Sequence, residues 1–393
     1  MNPTWKDHLI KAGATLANDH AIHFGNPEKE LLAAQSGTIL TDLSHRGMIG
    51  VNGEDSQTFL QGQTTNDVRL ATDRAQYNSL CTPKGRMLAS FLLWRDADGY
   101  FLQLPGALQA GIQKRLAMYV LRSKVKVRDA GNESVRLGVA GMGAEALLQA
   151  AIGALPSDVL GVARHDKGTI IRLGANRFEI VATPEQGPAL WEELSRPGAC
   201  RTYGDRSENS AGRGQILPVL QVNSHSIDQK SGEIWTAQAD LQPIHHESDR
   251  LLATPAGSAC WEWLEIHAGI PVILPQTQEQ FTPQMANFEA IGGVSFNKGC
   301  YTGQEIVART QYLGKVKRRL YLAHLDSDSA PQPGDELFGA EPTAGMVVNA
   351  QPAPDGGYDL LAVIPTGSVE AGAVHLKTPE GPALHFLPLP YPI

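Results

Sequence analysis

The stretch Lys298-Gly-Cys-Tyr-Thr-Gly-Gln-Glu-Ile-Val-Ala-Arg309 brings a thiol, cations, a carboxamide and a carboxylate together in one short segment. Its glycines, Gly299 and Gly303, permit backbone conformations or a close ligand approach that a side chain would forbid. The apolar residues 291–296 predict a short strand before it, and residues 305–310 predict a strand after it. A polar turn beside apolar strands is a common place for a functional site. A glycine-rich turn with a structural cysteine is the alternative.

Length and composition are those of an ordinary globular protein. The chain has 393 residues, enough for two or three domains with separate cores. Its hydrophobic content of 42% excludes a disordered or fibrous class. The formal net charge of −8 disfavours broad electrostatic binding to nucleic acid but leaves room for a local basic patch.

Cysteine usage and apolar runs bear on cofactors and location. None of the cysteines forms a C-x-x-C pair or has a histidine at zinc-ligand spacing, so we expect no metal site and no iron–sulfur cluster of the chain's own. The amino terminus lacks a secretory signal, and no stretch has the length and apolarity of a membrane-spanning helix. We therefore predict a cytoplasmic protein in a reducing compartment. The cysteines are Cys81, Cys200, Cys260 and Cys300.

The spacing of apolar residues and turn signals divides the chain into regions. Residues 1–35 predict an amphipathic leading helix. Residues 36–130 predict a β-β-α-β-β-β-α-β run, which is typical of an α+β domain with a mostly antiparallel sheet. Residues 131–197 predict a second α+β domain. Residues 313–393 predict evenly spaced short strands that form a small β-barrel.

The region between the second domain and the barrel is heterogeneous. Residues 198–257 are rich in polar residues and predict an insertion or linker, with one strand at 215–222. The pair His245-His246 inside it is expected to be solvated, because no third metal ligand is evident. A short helix over 261–269 follows, and residues 258–312 are expected to complete the first domain.

Several separated segments resemble the glycine-cleavage T-protein superfamily. The segment Lys298 to Glu305 resembles the signature of one branch, the YgfZ-type folate-binding proteins. Residues 281–287 and 387–391 fit that branch as well. The resemblance covers most of residues 36–197 and 258–393. Its superfamily-level segments are Leu40-Thr-Asp-Leu-Ser-His, Val51-Asn-Gly-Glu-Asp and Phe59-Leu-Gln-Gly-Gln-Thr-Thr-Asn-Asp67.

The resemblance implies a fold and a role. The fold would be a three-lobed ring of two α+β domains and a C-terminal β-barrel around a folate pocket. The role would be to bind tetrahydrofolate and to support assembly or repair of iron–sulfur clusters in client enzymes. Its partners would be folate and iron–sulfur client or assembly proteins, with tRNA involved only indirectly through tRNA-modifying enzymes. We expect a monomer.

One difference between this sequence and the superfamily distinguishes folate binding alone from aminomethyl transfer. Aminomethyltransferases carry a catalytic aspartate in the strand that corresponds to residues 85–94 here. Ala89 and Ser90 stand where that aspartate would lie, and this strand contains no carboxylate. Because a carboxylate that positions or activates the transferring carbon has no substitute in Ala or Ser, one-carbon transfer is in doubt. A folate-dependent aminomethyltransferase and a scaffold without a ligand remain the alternatives.

The signature segment supplies the predicted functional thiol. Cys300 is the candidate nucleophilic or redox-active group, with Lys298 nearby to favour its thiolate form. A buried, inert thiol is the alternative. On a regular strand, Gln304 and Glu305 would point in opposite directions, so only one of them would face a pocket. Arg309, in a basic run that continues to Arg319, is a candidate for the folate glutamate tail or is a solvated cation.

The helix near residue 261 supplies the predicted folate contacts. The resemblance makes Trp261 a flat ring for stacking on folate, whereas a core tryptophan is the alternative. Glu265 would read the amide edge of a pterin through paired hydrogen bonds. His267 occupies a position where the family more often has a carboxylate, which weakens its assignment to the site.

Overall fold

The structure is a computed structural model that describes residues 1–97, 99–195, 252–314, 316–339, 344–372 and 374–393. Most of residues 198–257, including the predicted strand at 215–222 and the pair His245-His246, lies outside the described residues.

The amino-terminal region is not one helix over residues 1–35. Gly13, with a φ of 93°, follows the end of the first helix. Asn18 and Asp19 then adopt left-handed backbone angles, which these two residue types tolerate in tight turns. The chain therefore reverses at this point as a hairpin. Its elements are α1 (Pro3–Lys11), β1 (Thr15–Ala17), β2 (His20–His23) and α2 (Pro27–Ser36).

The next region has the predicted β-β-α-β-β-β-α-β order of elements. Its strands form a five-stranded antiparallel sheet in the order β5-β6-β7-β4-β8, which excludes β3. The first strand of the predicted run therefore leaves this sheet and pairs elsewhere. The elements are β3 (Thr38–Asp42), β4 (Arg46–Asn52), α3 (Ser56–Gln61), β5 (Gln76–Cys81), β6 (Met87–Asp96), β7 (Gly99–Pro105), α4 (Gly106–Met118) and β8 (Lys126–Asp129).

The second sheet has six strands in the order β10-β11-β12-β9-β3-β13. Its pairs are antiparallel except β13, which runs parallel to β3. Strands β10 and β11 were not predicted from sequence, and β13 lies in the predicted insertion. The elements are β9 (Val135–Gly141), α5 (Ala144–Ala151), β10 (Val162–His165), β11 (Gly168–Gly174), β12 (Arg177–Ala182), α6 (Gly187–Leu194) and β13 (Thr254–Ala256).

The third sheet is a six-stranded antiparallel half-barrel in the order β18-β15-β16-β17-β14-β19. A bridge between His375 and Ala383 links its two edges. The α+β fold class with a curled C-terminal sheet is thus confirmed. The elements are α7 (Ser258–His267), α8 (Gln304–Tyr312), β14 (Arg318–Leu325), β15 (Glu336–Phe338), β16 (Gly345–Pro352), β17 (Tyr358–Pro365), α9 (Thr366–Ala371), β18 (His375–Leu376) and β19 (Leu384–Leu387).

Two predicted strands around the signature segment were wrong. Residues 291–296 form turns and irregular backbone, and the residues that follow Gly303 form helix α8. Gly303 has a φ of 86° and sits at the N-cap, a backbone conformation that favours glycine. Glu305 in the first helical turn and Arg309 in the last turn both complement the helix dipole. The N-cap glycine and the two charged residues favour a helix here, although the apolar pair Ile306-Val307 is also compatible with a strand.

Helix α7 connects the three larger sheets. Trp261 packs its ring against Gly138 of β9. Trp263 donates from Nε1 to Asp359 Oδ2 of β17 at 2.7 Å, and Glu265 pairs with Arg46 of β4. The helix therefore holds the sheets in fixed relation, and the candidate site forms around it.

Candidate functional site

Two adjoining cavities lie where the three larger sheets meet. One has a volume of about 350 Å³ and the other about 30 Å³, and both are lined by Arg46, Glu265, Ile270 and Val272. The smaller cavity extends between the first and second sheets, and the larger one extends along the half-barrel. We call the two together the central cavity.

A buried cation and two carboxylates form the charged part of the central cavity. Arg46 Nη2 donates to Glu265 Oε2 and lies 3.8 Å from Glu262 Oε1. The Arg46 and Glu265 side chains are only 10% and 14% exposed. Burial opposes the charge on Arg46, but Glu265 and Glu262 together leave its pKa raised. The guanidinium thus fixes the Glu265 carboxylate at the cavity wall.

A third carboxyl group of the central cavity, Glu179 of β12, lines the smaller cavity and is 1% exposed. Gln103 Nε2 of β7 donates to its Oε1 at 2.6 Å. Burial, offset in part by the nearby Arg136, raises the pKa of Glu179 to about 7. Near neutral pH both the protonated and the ionised form of this group are therefore populated, and it can donate or accept a hydrogen bond.

The raised pKa of Glu179 predicts a pH dependence of stability. Because the pKa of Glu179 is about 7 in the folded state and the ordinary value of a glutamate is 4.5, the folded state binds a proton more tightly than the unfolded state. The resulting stabilisation is complete below pH 4.5 and is lost as the pH rises through about 7, a change of about 3 kcal/mol. We expect Glu179→Gln to flatten the decline in unfolding free energy between pH 5 and pH 8, measured by urea denaturation. An equally steep decline in the variant would assign the effect to other groups.

Ser90 of β6 also lines the central cavity, but its hydroxyl is engaged with the backbone. Ser90 Oγ donates to the Pro271 carbonyl at 3.1 Å and accepts from the Ile273 amide at 2.9 Å. The neighbouring Ala89 is completely buried. Ser90 thus binds the backbone that follows α7, and it is not free to act as a base.

Trp261 and His267 do not line the central cavity. Trp261 is 1% exposed, and a Cβ at position 138 would come within 2.5 Å of its ring. This environment is that of a core tryptophan. His267 turns toward the half-barrel, where its Nε2 lies 2.7 Å from Asp359 Oδ2 and its ring centre lies 4.3 Å from that of Trp263, with the two rings tilted by 48°. Of the residues predicted on α7, Glu265 alone faces this cavity among the described contacts.

The signature loop forms a separate surface. Cys300 is exposed, whereas Lys298 is 8% exposed. Lys298 Nζ donates to the carbonyl oxygens of Thr64 and Asn66, the latter at 2.8 Å, and lies 5.0 Å from the centre of the Tyr301 ring. Burial lowers the pKa of Lys298 to about 8, against the opposing effect of Asp67. The lysine anchors the loop to residues 64–66 and makes no hydrogen bond to the thiol within the described part of the chain.

The remaining predicted residues lie on α8. Glu305 and Arg309 are exposed and stand one helical turn apart, and Gln304 is half-buried. The expected alternation of Gln304 and Glu305 on a strand does not apply to a helix. None of the three lines the central cavity. Within the described residues, no group of His, Cys, Asp and Glu is arranged to hold a metal ion.

Sequence reasoning missed several polar residues of the central cavity. They come from strands far apart in sequence, and Gln103 and Glu179 each stand between two apolar residues of their strand. Glu179 stands between Phe178 and Ile180, which are both fully buried. A charged residue between two core residues is an unusual pattern that marks either a paired structural charge or a site. The missed residues are Arg46, Tyr77, Gln103 and Glu179.

Comparison with known proteins shows a family and a fold that this chain resembles. Residues 17–210 match the GCVT N-terminal domain family. The fold matches the crystal structure of glycine cleavage system aminomethyltransferase T from Bartonella henselae with a TM-score of 0.67 and 16% sequence identity. The match covers 98% of this chain and 96% of that chain, and at this identity it shows the fold alone. The chain is thus similar to the GCVT N-terminal domain family over residues 17–210, and its fold is that of an aminomethyltransferase T-protein.

Two relatives are similar to the chain over almost its full length. The chain is 29% identical over 389 residues to the tRNA-modifying protein YgfZ of Pectobacterium carotovorum subsp. carotovorum (strain PC1), covering 96% of this chain and 99% of the relative. It is 29% identical over 374 residues to the tRNA-modifying protein YgfZ of Sodalis glossinidius (strain morsitans), covering 93% and 97%. The chain is therefore similar to YgfZ proteins over almost its whole length. No helix among the described residues is long and apolar enough to cross a membrane.

Proposed function

We propose that this chain is a cytoplasmic tetrahydrofolate-binding protein that supports assembly or repair of iron–sulfur clusters in client enzymes, including tRNA-modifying ones. The observation that carries the proposal is the pair of buried carboxyl groups, Glu265 and Glu179, on the wall of one cavity in a T-protein fold. The names of the full-length relatives, tRNA-modifying proteins, support the link to tRNA modification.

The residues of the central cavity suit a folate. A pterin presents a flat ring and an edge of N–H groups, which a fixed carboxylate such as Glu265 can accept. Glu179, near its pKa at neutral pH, can accept or donate at a second position. Phe91 and Phe288 supply apolar wall for the ring. The larger cavity, about 350 Å³, lies within the range of small-molecule pockets. Tetrahydrofolate would supply a carrier for one-carbon units.

The chain's own residues argue against aminomethyl transfer. With Ala89 and Ser90 on the cavity strand, no carboxylate of β6 reaches the place where the family's catalytic aspartate acts, and the Ser90 hydroxyl is engaged with backbone. We expect the protein to bind tetrahydrofolate but to form no methylene-tetrahydrofolate when an aminomethyl donor is added. Product formation at enzymatic rates would instead establish an aminomethyltransferase.

The exposed thiol of Cys300 is proposed to act on a client or carrier. Cys81 and Cys260 are buried, and burial raises the pKa of each thiol to about 12, so Cys300 should be the fastest of these three to react with iodoacetamide. Because the side chain is exposed, Cys300→Ser should change the unfolding free energy by less than about 0.5 kcal/mol. It should nevertheless fail to restore iron–sulfur tRNA-modifying activity in a strain that lacks the endogenous relative.

The matched control for this experiment is Cys81→Ala, which alters a buried thiol and should complement if it folds. Full complementation by Cys300→Ser, together with slow alkylation of Cys300, would make the signature cysteine a structural residue.

A further inference from the structure

A second large cavity lies on the half-barrel, apart from the central cavity. Its volume is about 350 Å³, and it shares no lining residue with the central cavity. Met346, near the start of β16, lines it, whereas Asn349 to Pro352, at the end of the same strand, line the central cavity. The two cavities therefore lie toward opposite ends of β16. We call this one the half-barrel cavity.

A pre-oriented guanidinium forms one side of the half-barrel cavity. Arg86 Nη1 donates to the Gln280 carbonyl at 2.5 Å and lies 3.8 Å from Met285 Sδ. These contacts hold the Nη1 end of the guanidinium in place. Its Nε and Nη2 groups have no partner among the described residues, and they provide the paired donors that bind a carboxylate through two parallel hydrogen bonds.

Charges of opposite sign complete the rim. Arg318 and Glu336 both line the half-barrel cavity and are exposed. Neither forms an ion pair with the other or with any residue in the described ranges. Between these charges the wall is apolar, with Phe281 buried and the flexible thioethers of Met285 and Met346 half-buried. The cavity thus presents cationic, anionic and apolar surface at once.

We propose that the half-barrel cavity binds a free α-amino acid with an apolar side chain. The carboxylate pairs with Arg86 and Arg318, the ammonium pairs with Glu336, and the side chain packs on Phe281, Met285 and Met346. A ligand with only a negative charge would be repelled by Glu336. A ligand with only a positive charge would be repelled by Arg86 and Arg318. A volume of about 350 Å³ is at the small end for ligand pockets and too small for a polypeptide segment. The proposal does not depend on folate binding.

Calorimetry on the full chain tests the proposal with four small molecules: L-phenylalanine, L-methionine, 3-phenylpropionate and phenethylamine. We expect both amino acids to bind with a Kd below about 1 mM and the two single-charge analogues to bind at least about tenfold more weakly. Arg86→Lys and Glu336→Gln should each weaken amino-acid binding at least about tenfold. The lysine keeps the positive charge but cannot donate two parallel hydrogen bonds to a carboxylate.

The controls are Arg122→Gln and Glu380→Gln, which alter exposed charges outside the half-barrel cavity and should leave binding unchanged. A thermal melt of each variant checks that it is folded. The proposal is overturned if 3-phenylpropionate binds as tightly as phenylalanine, because the site is then a plain anion site. It is also overturned if no amino acid binds at about 10 mM, or if folded Arg86→Lys and Glu336→Gln both bind normally.

Discussion

Replacing Arg46 with methionine should lower the unfolding free energy by about 3–5 kcal/mol. The guanidinium is 10% exposed and pairs with Glu265, while Glu262 lies 3.8 Å away. Removing one partner of a buried ion pair leaves an uncompensated charge in a poorly solvated place, which costs more than the pair contributes. Urea denaturation at neutral pH measures the loss, and Arg122→Met at an exposed position is the matched control.

A double-mutant cycle isolates the charge effect. Adding Glu265→Gln to Arg46→Met removes the unpaired carboxylate, so the double variant should recover part of the lost stability. A loss below about 1 kcal/mol in Arg46→Met alone would show that water reaches the pair and screens it, contrary to the burial described here.

Replacing Trp261 with alanine should also cost about 3–5 kcal/mol of stability. The indole is 1% exposed and lies directly on Gly138, with the Arg177 guanidinium 5.7 Å from the ring centre. Its removal leaves a cavity between α7 and the second sheet that the rigid sheet cannot close. Trp261→Phe keeps part of the packing and should therefore lose less stability than Trp261→Ala.

Urea denaturation and folate titration of the same samples separate a core role of Trp261 from a ligand contact. If the Trp261→Ala variant had normal stability but weaker folate affinity, Trp261 would contact the ligand and would not be a core residue.

The sequence allowed the α+β class and the order of elements in the first sheet to be predicted, because those strands are apolar and separated by clear turn signals. Strands β10 and β11 were missed because they are short and are stabilised by tertiary pairing: β10 pairs with β11, and β11 pairs with β12. Helix α8 was predicted as a strand because two apolar residues, Ile306 and Val307, suit either state. The left-handed conformation of Gly303 at the N-cap and the tertiary packing of this segment favour the helix.

The candidate site was only partly predictable for a geometric reason. Glu265 and His267 are two positions apart on α7, so a helix turns them to different sides. One meets Arg46 and the other meets Asp359. Glu179 reaches the central cavity from a strand 86 positions before Glu265 in the numbering. No local pattern indicates that these two carboxyl groups converge, because the fold alone brings them together.

Titration of the full chain with a stable tetrahydrofolate derivative, followed by calorimetry, tests the central claim most directly. Glu265→Gln is the informative variant, and Glu305→Gln, at an exposed position of α8, is the matched control. The account predicts saturable binding to the wild type, unchanged binding to the control, and binding about 10–100-fold weaker for a folded Glu265→Gln, the loss expected for a charge-assisted hydrogen bond. Absence of saturable wild-type binding at millimolar concentration, or equal affinity in Glu265→Gln, would contradict the assignment of the central cavity to folate.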